Sequence, residues 1–153
     1  LGTVFGVSDE FSRLRLDLVV NTMTAKAYTE GKLKVFGGEQ WRPLIHVKNI
    51  AEAIVYSLDR DLSATINLSS ENVKIVDLGK LVASHTGAEI ETVDIKFEDS
   101  RNYKVKSTLV GQIEPISISD GIKEILEVMP RIKDPQSPRY SNAQYMEALH
   151  GNN

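Results

Sequence analysis

The chain has 153 residues, 41% of them hydrophobic and 25% charged, with a formal net charge of −3 at pH 7. A chain this apolar and this weakly charged buries enough surface to offset its ordering entropy, which excludes disorder and fits one ordinary domain. A mildly acidic balance without a basic stripe argues against nucleic acid as a partner. No apolar run approaches the roughly 18 to 20 residues of a bilayer crossing, so no membrane partner is expected. The sequence contains no cysteine, hence no disulfide framework and no thiolate metal site, and the cytoplasm is the expected compartment.

The opening LGTVFG places Leu1, Val4 and Phe5 in a short apolar run closed by Gly6, the pattern of a buried strand. Buried strands need neighbours on both sides, and this one follows neither Met nor a signal peptide, so a piece of a longer polypeptide is expected. A polar connection carrying Arg13, Arg15 and Asp17 comes next. Val19, Val20, Met23 and Ala27 then repeat at helical spacing, predicting a helix over 17–30 with Gly31 as its left-handed stop. Residues 33–36 read as a strand, Gly37 and Gly38 as a sharp turn, and 44–47 as a second strand. Asn49 is predicted to cap the following helix, with Glu52 as the answering half of a capping box and Ile50, Ala53, Ile54 and Leu58 as its apolar face. Residues 64–68 read as another buried strand ending in the loop 69–72. A helix over 75–84 closed by Gly87 follows, then a strand over 90–97 with Val93, Ile95 and Phe97 alternating. Ser117 and Asp120 form a capping pair for a last long helix, which Pro130 ends. The remainder is polar, holds Pro135 and Pro138, and reads as a tail or extended arm with room for a short helix around 143–149. Strands alternating with helices give an α/β class.

Few residues carry chemistry. His46, His85 and His150 lie far apart with no HExxH spacing, so no metal site is expected. His46, in a strand, reads as a satisfied half-buried imidazole, and His85 as a partner for the last carbonyls of its helix. Tyr28 and Lys32 match a YxxxK spacing, but Gly31 stops the helix between them, so the ammonium cannot sit one turn from the phenol and no catalytic residue is assigned. The strongest segment is VFGGEQWRPLIHV, residues 35–47. There Arg42 stands between a glycine turn and a strand, a fixed backbone from which a guanidinium fork presents two parallel donors to a phosphate.

Together with LGTVFG, DLVVN, INLSSEN and DSRNYKV, that segment resembles the C-terminal portion of an extended short-chain dehydrogenase/reductase, the NAD-dependent epimerases and dehydratases of nucleotide sugars. The resemblance runs from Leu1 to about Val128 and is most specific over 37–53. It implies the C-terminal part of an NAD(P)-binding Rossmann-type α/β fold. Residues 1–6 and 64–68 would be the last strands of the parent sheet, 1–129 the substrate-binding portion with a small mixed α/β lobe, and 130–153 a polar tail. The implied function is the nucleotide-sugar-binding half of an NDP-hexose epimerase or dehydratase, UDP-glucose 4-epimerase-like. In the family the Gly-rich loop and the Tyr-x-x-x-Lys base precede the LGTVFG strand. NAD or NADP is therefore expected in the full-length parent, and neither cofactor nor catalysis in this chain alone.

Position by position, Arg42 matches the arginine that grips the sugar-nucleotide diphosphate. Arg101 matches a second basic residue near the nucleotide, with Tyr103 beside it, and Asn72 a polar substrate contact. Arg15 and Asn21 fall in the substrate-facing loop and helix start. Two residues depart from the family's pattern: Val7 where proline is usual, and Asn49 where aspartate is usual. Asn caps a helix about as well as Asp, so the second is expected to leave the fold intact. The expected partners are a nucleotide-diphosphate sugar, the missing N-terminal Rossmann half and, because unpaired sheet strands invite pairing, a second copy in a homodimer. A non-catalytic binding or regulatory module on the same scaffold is the competing reading, separated by whether a GxxGxxG and a YxxxK lie upstream.

Overall fold

The structure, a computed structural model, describes residues 1–9, 12–36, 38–58, 60, 65–93, 101–108 and 111–150. Along the chain run β1 (Thr3–Phe5), α1 (Val19–Glu30), β2 (Lys32–Phe36), β3 (Trp41–His46), α2 (Val47–Leu58), β4 (Glu71–Lys74), α3 (Ile75–Thr86), β5 (Glu89–Val93) and α4 (Ile118–Val128). Two 3-10 turns, Met129–Arg131 and Pro138–Tyr140, lead to α5 (Asn142–His150). One sheet has the order β1-β3-β4, with β1 parallel and β4 antiparallel to β3; β2 and β5 form a separate parallel pair. This is the mixed α/β architecture with Rossmann-type parallel strands that the sequence predicts.

Local chemistry accounts for most boundaries. α1 ends where Gly31 takes φ 64°, its N–H returning to the carbonyl of Ala27, a geometry that a Cβ would oppose. β2 alternates Leu33 and Val35 inward with Lys32 and Lys34 outward, the period of a strand with one buried face. Ser117 caps α4 by accepting the N–H of Asp120 at 3.0 Å, as predicted. α1, α3 and α4 pack on one another and share one core with the sheets. In it Phe5, Val20, Leu33, Val35, Leu44, Leu78, Ile122 and Ile125 are almost wholly excluded from water. α3 crosses β2 so closely that a Cβ at Gly79 would stand 2.8 Å from Val35 Cγ2.

Several expectations are corrected. Residues 65–68 form no strand, because their carbonyls serve two different partners: Leu68 accepts from Gly2 and Asn67 from Thr108, so no single ladder is built. β3 begins at Trp41, ahead of the predicted start at residue 44. Pro43 is tolerated inside it because β4 pairs with 41–44 and β1 only from Leu44 onward, so Pro43 lacks a ladder on one side. α2 begins at Val47, two residues before the predicted cap. Its expected apolar face is largely open: Ala53 is buried and Ile50 half-buried, but Ile54 and Leu58 are exposed, as are the neighbouring Val55 and, at the start of the chain, Leu1. The polar C-terminal segment is no free arm, since Tyr140 and Ile132 pack against the core and α5 is hydrogen-bonded back to residues 13–17. Of the predicted strand 90–97, residues 94–97 lie outside the described residues, as do Gly37 of the predicted turn and Ala64.

Candidate functional site

Side chains alternate along β3, so Arg42, Leu44 and His46 point to one face and Pro43 and Ile45 to the other. The inward row runs from cleft to core. Leu44 and His46 are fully buried, and Arg42, at the end of the row, is 7% exposed and lines an open cleft of about 450 Å³. The floor of the cleft is apolar, supplied by Met23, Leu33, Val35 and Ile75, while Asp17, Lys26, Lys34, Arg42 and Arg101 bring charge to its walls. Among the described residues that line it, four cations stand against one carboxylate, in a chain whose net charge is −3. Such focusing in a low-dielectric concavity favours an anion.

Arg42 is held by backbone. Its Nη1 donates to the carbonyl of Trp41 at 3.0 Å and to that of Arg101, fixing the guanidinium against the irregular segment 101–105 that runs beside β3. That segment is stitched in place by several bonds. Trp41 N–H donates to Asn102 Oδ1 at 3.0 Å, and Lys104 Nζ stands 3.6 Å from the centroid of the Trp41 ring. Asn72 donates from Nδ2 to the carbonyl of Val105 at 2.9 Å and accepts the Val105 N–H at 2.8 Å, imitating a strand pair with its side chain.

The structure therefore brings Arg42, Arg101 and Tyr103 together at the cleft and places the other predicted residues elsewhere. Asn72 lies in β4, not in a loop, and both its amide atoms hold the 101–105 segment. Asn21 is buried, accepting the Gly6 N–H at 3.0 Å and donating to the carbonyls of Gly6 and Arg15, which ties the end of β1 to α1. Arg15 forms a forked pair with Asp17 at 2.9 and 3.1 Å. Tyr28 and Lys32 belong to α1 and β2, with the helix stop at Gly31 between them. Sequence reasoning missed Lys26, Lys34 and Asp17. A signal for Lys26 was present: Val19, Thr22, Met23 and Lys26 recur at i, i+3, i+4 and i+7, and all four line the cleft.

His46 occupies the other end of the row. Its Nδ1 accepts the Lys48 N–H at 3.2 Å, so Nε2 carries the proton and donates to Glu124 Oε2 at 3.0 Å. Burial pushes its pKa below the ordinary value; Glu124 opposes this and Lys48 adds to it. Bonding Lys48 N–H makes His46 the residue that caps α2, the task predicted for Asn49. Asn49 instead reaches away, donating to Glu114 O at 2.8 Å and Glu52 Oε2 at 2.9 Å and accepting the Ile116 N–H at 2.8 Å. Among the described residues no group of His, Asp and Glu is placed to hold a metal ion, and no helix is long and apolar enough to cross a membrane.

The fold is that of nucleotide-sugar epimerases and dehydratases. The chain superposes on an NAD-dependent NDP-hexosamine 5,6-dehydratase of tunicamycin biosynthesis with a TM-score of 0.69, at 20% identity, over 89% of this chain and 46% of that one. It matches the UDP-glucuronic acid 4-epimerase of Bacillus cereus, solved with UDP-glucuronic acid and NAD, at 0.66, 18% identity, 85% and 43%. For the UDP-glucose 4-epimerase of Thermotoga maritima, solved with UDP-glucose, the values are 0.66, 21%, 85% and 44%. The model of the NAD dependent epimerase/dehydratase family matches residues 1–69, which include β1, α1, Arg42 and His46 but stop short of Asn72 and Arg101. The chain spans less than half the length of each of these solved structures.

Proposed function

We propose that the cleft is the diphosphate end of a nucleotide-sugar site, and that the chain is the substrate-binding portion of an NAD-dependent sugar epimerase or dehydratase, UDP-glucose 4-epimerase-like in substrate. The observation that carries this reading is the position of Arg42. Its charge is almost wholly excluded from water, oriented by two backbone carbonyls, and set with Arg101 and Tyr103 on the wall of a cationic cleft. A guanidinium fork fixed in this way suits the paired oxygens of a pyrophosphate.

NAD or NADP belongs, in this reading, to the rest of a longer cytoplasmic protein. The residues present do not fit its pyrophosphate. The sequence has no GxxGxxG loop, and the glycine ending β1, Gly6, faces no open cradle: a Cβ there would lie 1.9 Å from His46 Nε2. Two copies are inferred to pair through β1, which stands at the edge of its sheet among the described residues, and the exposed Ile54, Val55 and Leu58 of α2. Light scattering after size exclusion that shows a clean monomer at high concentration removes the dimer.

Calorimetry of the full-length protein with UDP, GDP, dTDP and CDP sugars tests the main reading. One class is expected to bind, and Arg42→Ala to weaken it by about 1.5 to 3 kcal/mol, the range for a lost charge-assisted contact. Arg42→Lys is expected to recover only part of this, because a point charge cannot replace the fork. Absence of binding for all four classes overturns the proposal.

A further inference from the structure

Asp17, the one carboxylate among the described residues that line the cleft, does not point its charge freely into it. Asp17 stands just before α1, whose start at Leu18 has no side-chain cap, and its oxygens are engaged from outside: Arg15 at 2.9 and 3.1 Å, and the backbone N–H of Asn142 at 2.8 Å. Asn142 is the first residue of α5, some 125 positions away. The two segments are joined again on either side of that bond. Arg13 donates to the Arg139 carbonyl at 2.9 Å and to Asn142 Oδ1, and its guanidinium carbon lies 4.7 Å from the Tyr145 ring centroid. Leu16 N–H donates to the Tyr140 carbonyl at 2.8 Å, with Leu16 buried and Tyr140 packed on the core. The bonds made by Arg13 and Asp17 are exposed and weak alone; their number, and the docked Tyr140, make the segment 137–150 hold as a unit.

We propose that this C-terminal segment is a strap that holds the Asp17 carboxylate away from the cleft's cations, with Arg13 and Asn142 as positioning residues for anion binding. Released from Asn142, the carboxylate keeps only the exposed Arg15 fork and gains freedom to swing toward Lys26 or Lys34 and to compete with a phosphate for them. Fixed, it leaves the cleft cationic and keeps the first turn of α1, with Val19 and Thr22, in its place on the wall. The ligand class rests on the nucleotide-diphosphate reading above; the strap itself does not.

The test separates the two. Asn142→Pro in the full-length protein removes the N–H and the Oδ1 acceptor at once. Proline is tolerated at a first helical position, and Ser141 already has the extended φ −119° and ψ 130° that a following proline requires. Amide exchange by mass spectrometry is expected to speed up by about fivefold or more in the peptide covering 14–20, the loss of one or two net hydrogen bonds. Exchange in β3, β4 and α3 is expected to stay as it was. UDP binding is expected to weaken by about fivefold or more, and adding Asp17→Asn to restore it, because the neutral amide no longer competes. Restoration by Asp17→Asn is not expected from mere loosening of the wall. Unchanged exchange in Asn142→Pro and in Arg13→Ala overturns the strap; binding lost but not restored overturns the role of Asp17. A wild-type protein that ignores UDP refutes the nucleotide reading and leaves exchange to decide the strap.

Discussion

Replacing Gly121 by alanine sets two opposed effects against each other, and the structure decides which wins. Gly121 lies in the first turn of α4, where Gly→Ala ordinarily gains about 0.5 to 1 kcal/mol from backbone entropy. Here the added Cβ would stand 2.4 Å from Phe5 Cε2, 2.7 Å from Phe5 Cδ2 and 3.3 Å from His46 Cδ2. Carbon contacts are comfortable at about 3.5 Å or more, so the shortfall against Phe5 is about 1 Å. Neither ring can yield cheaply. Phe5 is 1% exposed and sits on β1, laddered to β3; His46 is wholly buried and held at both nitrogens. The rings also fix each other edge to face, with centroids 5.1 Å apart and planes at 83°. The remaining relief is for α4 to lift from the sheet, an overpacking cost of about 1 to 3 kcal/mol that exceeds the helix gain. Gly121→Ala is therefore expected to lower unfolding free energy by about 1 to 2 kcal/mol in urea titration, with Phe5→Leu in the same chain recovering part of the loss as a positive coupling. A Gly121→Ala protein as stable as wild type refutes the reasoning.

Acidification is expected to destabilise the protein in two stages. The folded His46 pKa lies below its usual value of 6.5, first because of burial, so the unfolded chain binds the proton more readily. Its contribution is complete above about pH 6.5 and falls away as pH drops toward the lowered folded value; His46→Asn is expected to flatten the stability curve below about pH 6.5. Burial raises the Glu124 carboxyl, but the hydrogen bond and charge of Lys48 and the contact with His46 outweigh it and hold the pKa below 4.5, so its contribution persists above that pH and is lost below it. A midpoint that rises on acidification contradicts both signs. Asn49→Asp, the residue usual in the family resembled, is expected to destabilise by roughly 2 kcal/mol. It deletes the donor to Glu114 O and sets a second carboxylate against Glu52 in a site 2% exposed; equal stability in thermal unfolding sinks this.

That last case shows where sequence reasoning stops. Asn49 and Glu52 have capping-box spacing, and as caps Asn and Asp are nearly interchangeable. The helix begins two residues earlier because His46, wedged under Gly6 and Gly121, offers Nδ1 to the Lys48 N–H. Nothing local in the sequence announces an imidazole as a cap, since the wedge depends on glycines 40 and 75 positions away. Features governed by neighbours three or four residues off were legible: the Gly31 stop, the Ser117 cap, the alternation of Leu33 and Val35. Residues 65–68 were misread for the same reason that Asn49 was, because an apolar run records burial but not which partner its carbonyls meet.

For the site, the division follows the same physics. Arg42 was legible because a glycine turn, a proline and an alternating strand fix its backbone within a few residues, and its side chain then has one face to occupy. Asn72 carries the opposite lesson. A polar residue after an apolar run suggests a loop aimed at a ligand, but a side-chain amide has the same donor and acceptor as a peptide, and here it substitutes for one by pairing with Val105. Its contribution to the cleft is therefore one step removed: it holds the 101–105 segment, which brings Arg101 and Tyr103 to the wall and gives Arg42 the carbonyl that orients it. Charge reached the cleft from four separate stretches of chain, each unremarkable alone, so a cationic concavity inside an acidic chain emerges only when Lys26, Lys34, Arg42 and Arg101 are folded against one floor.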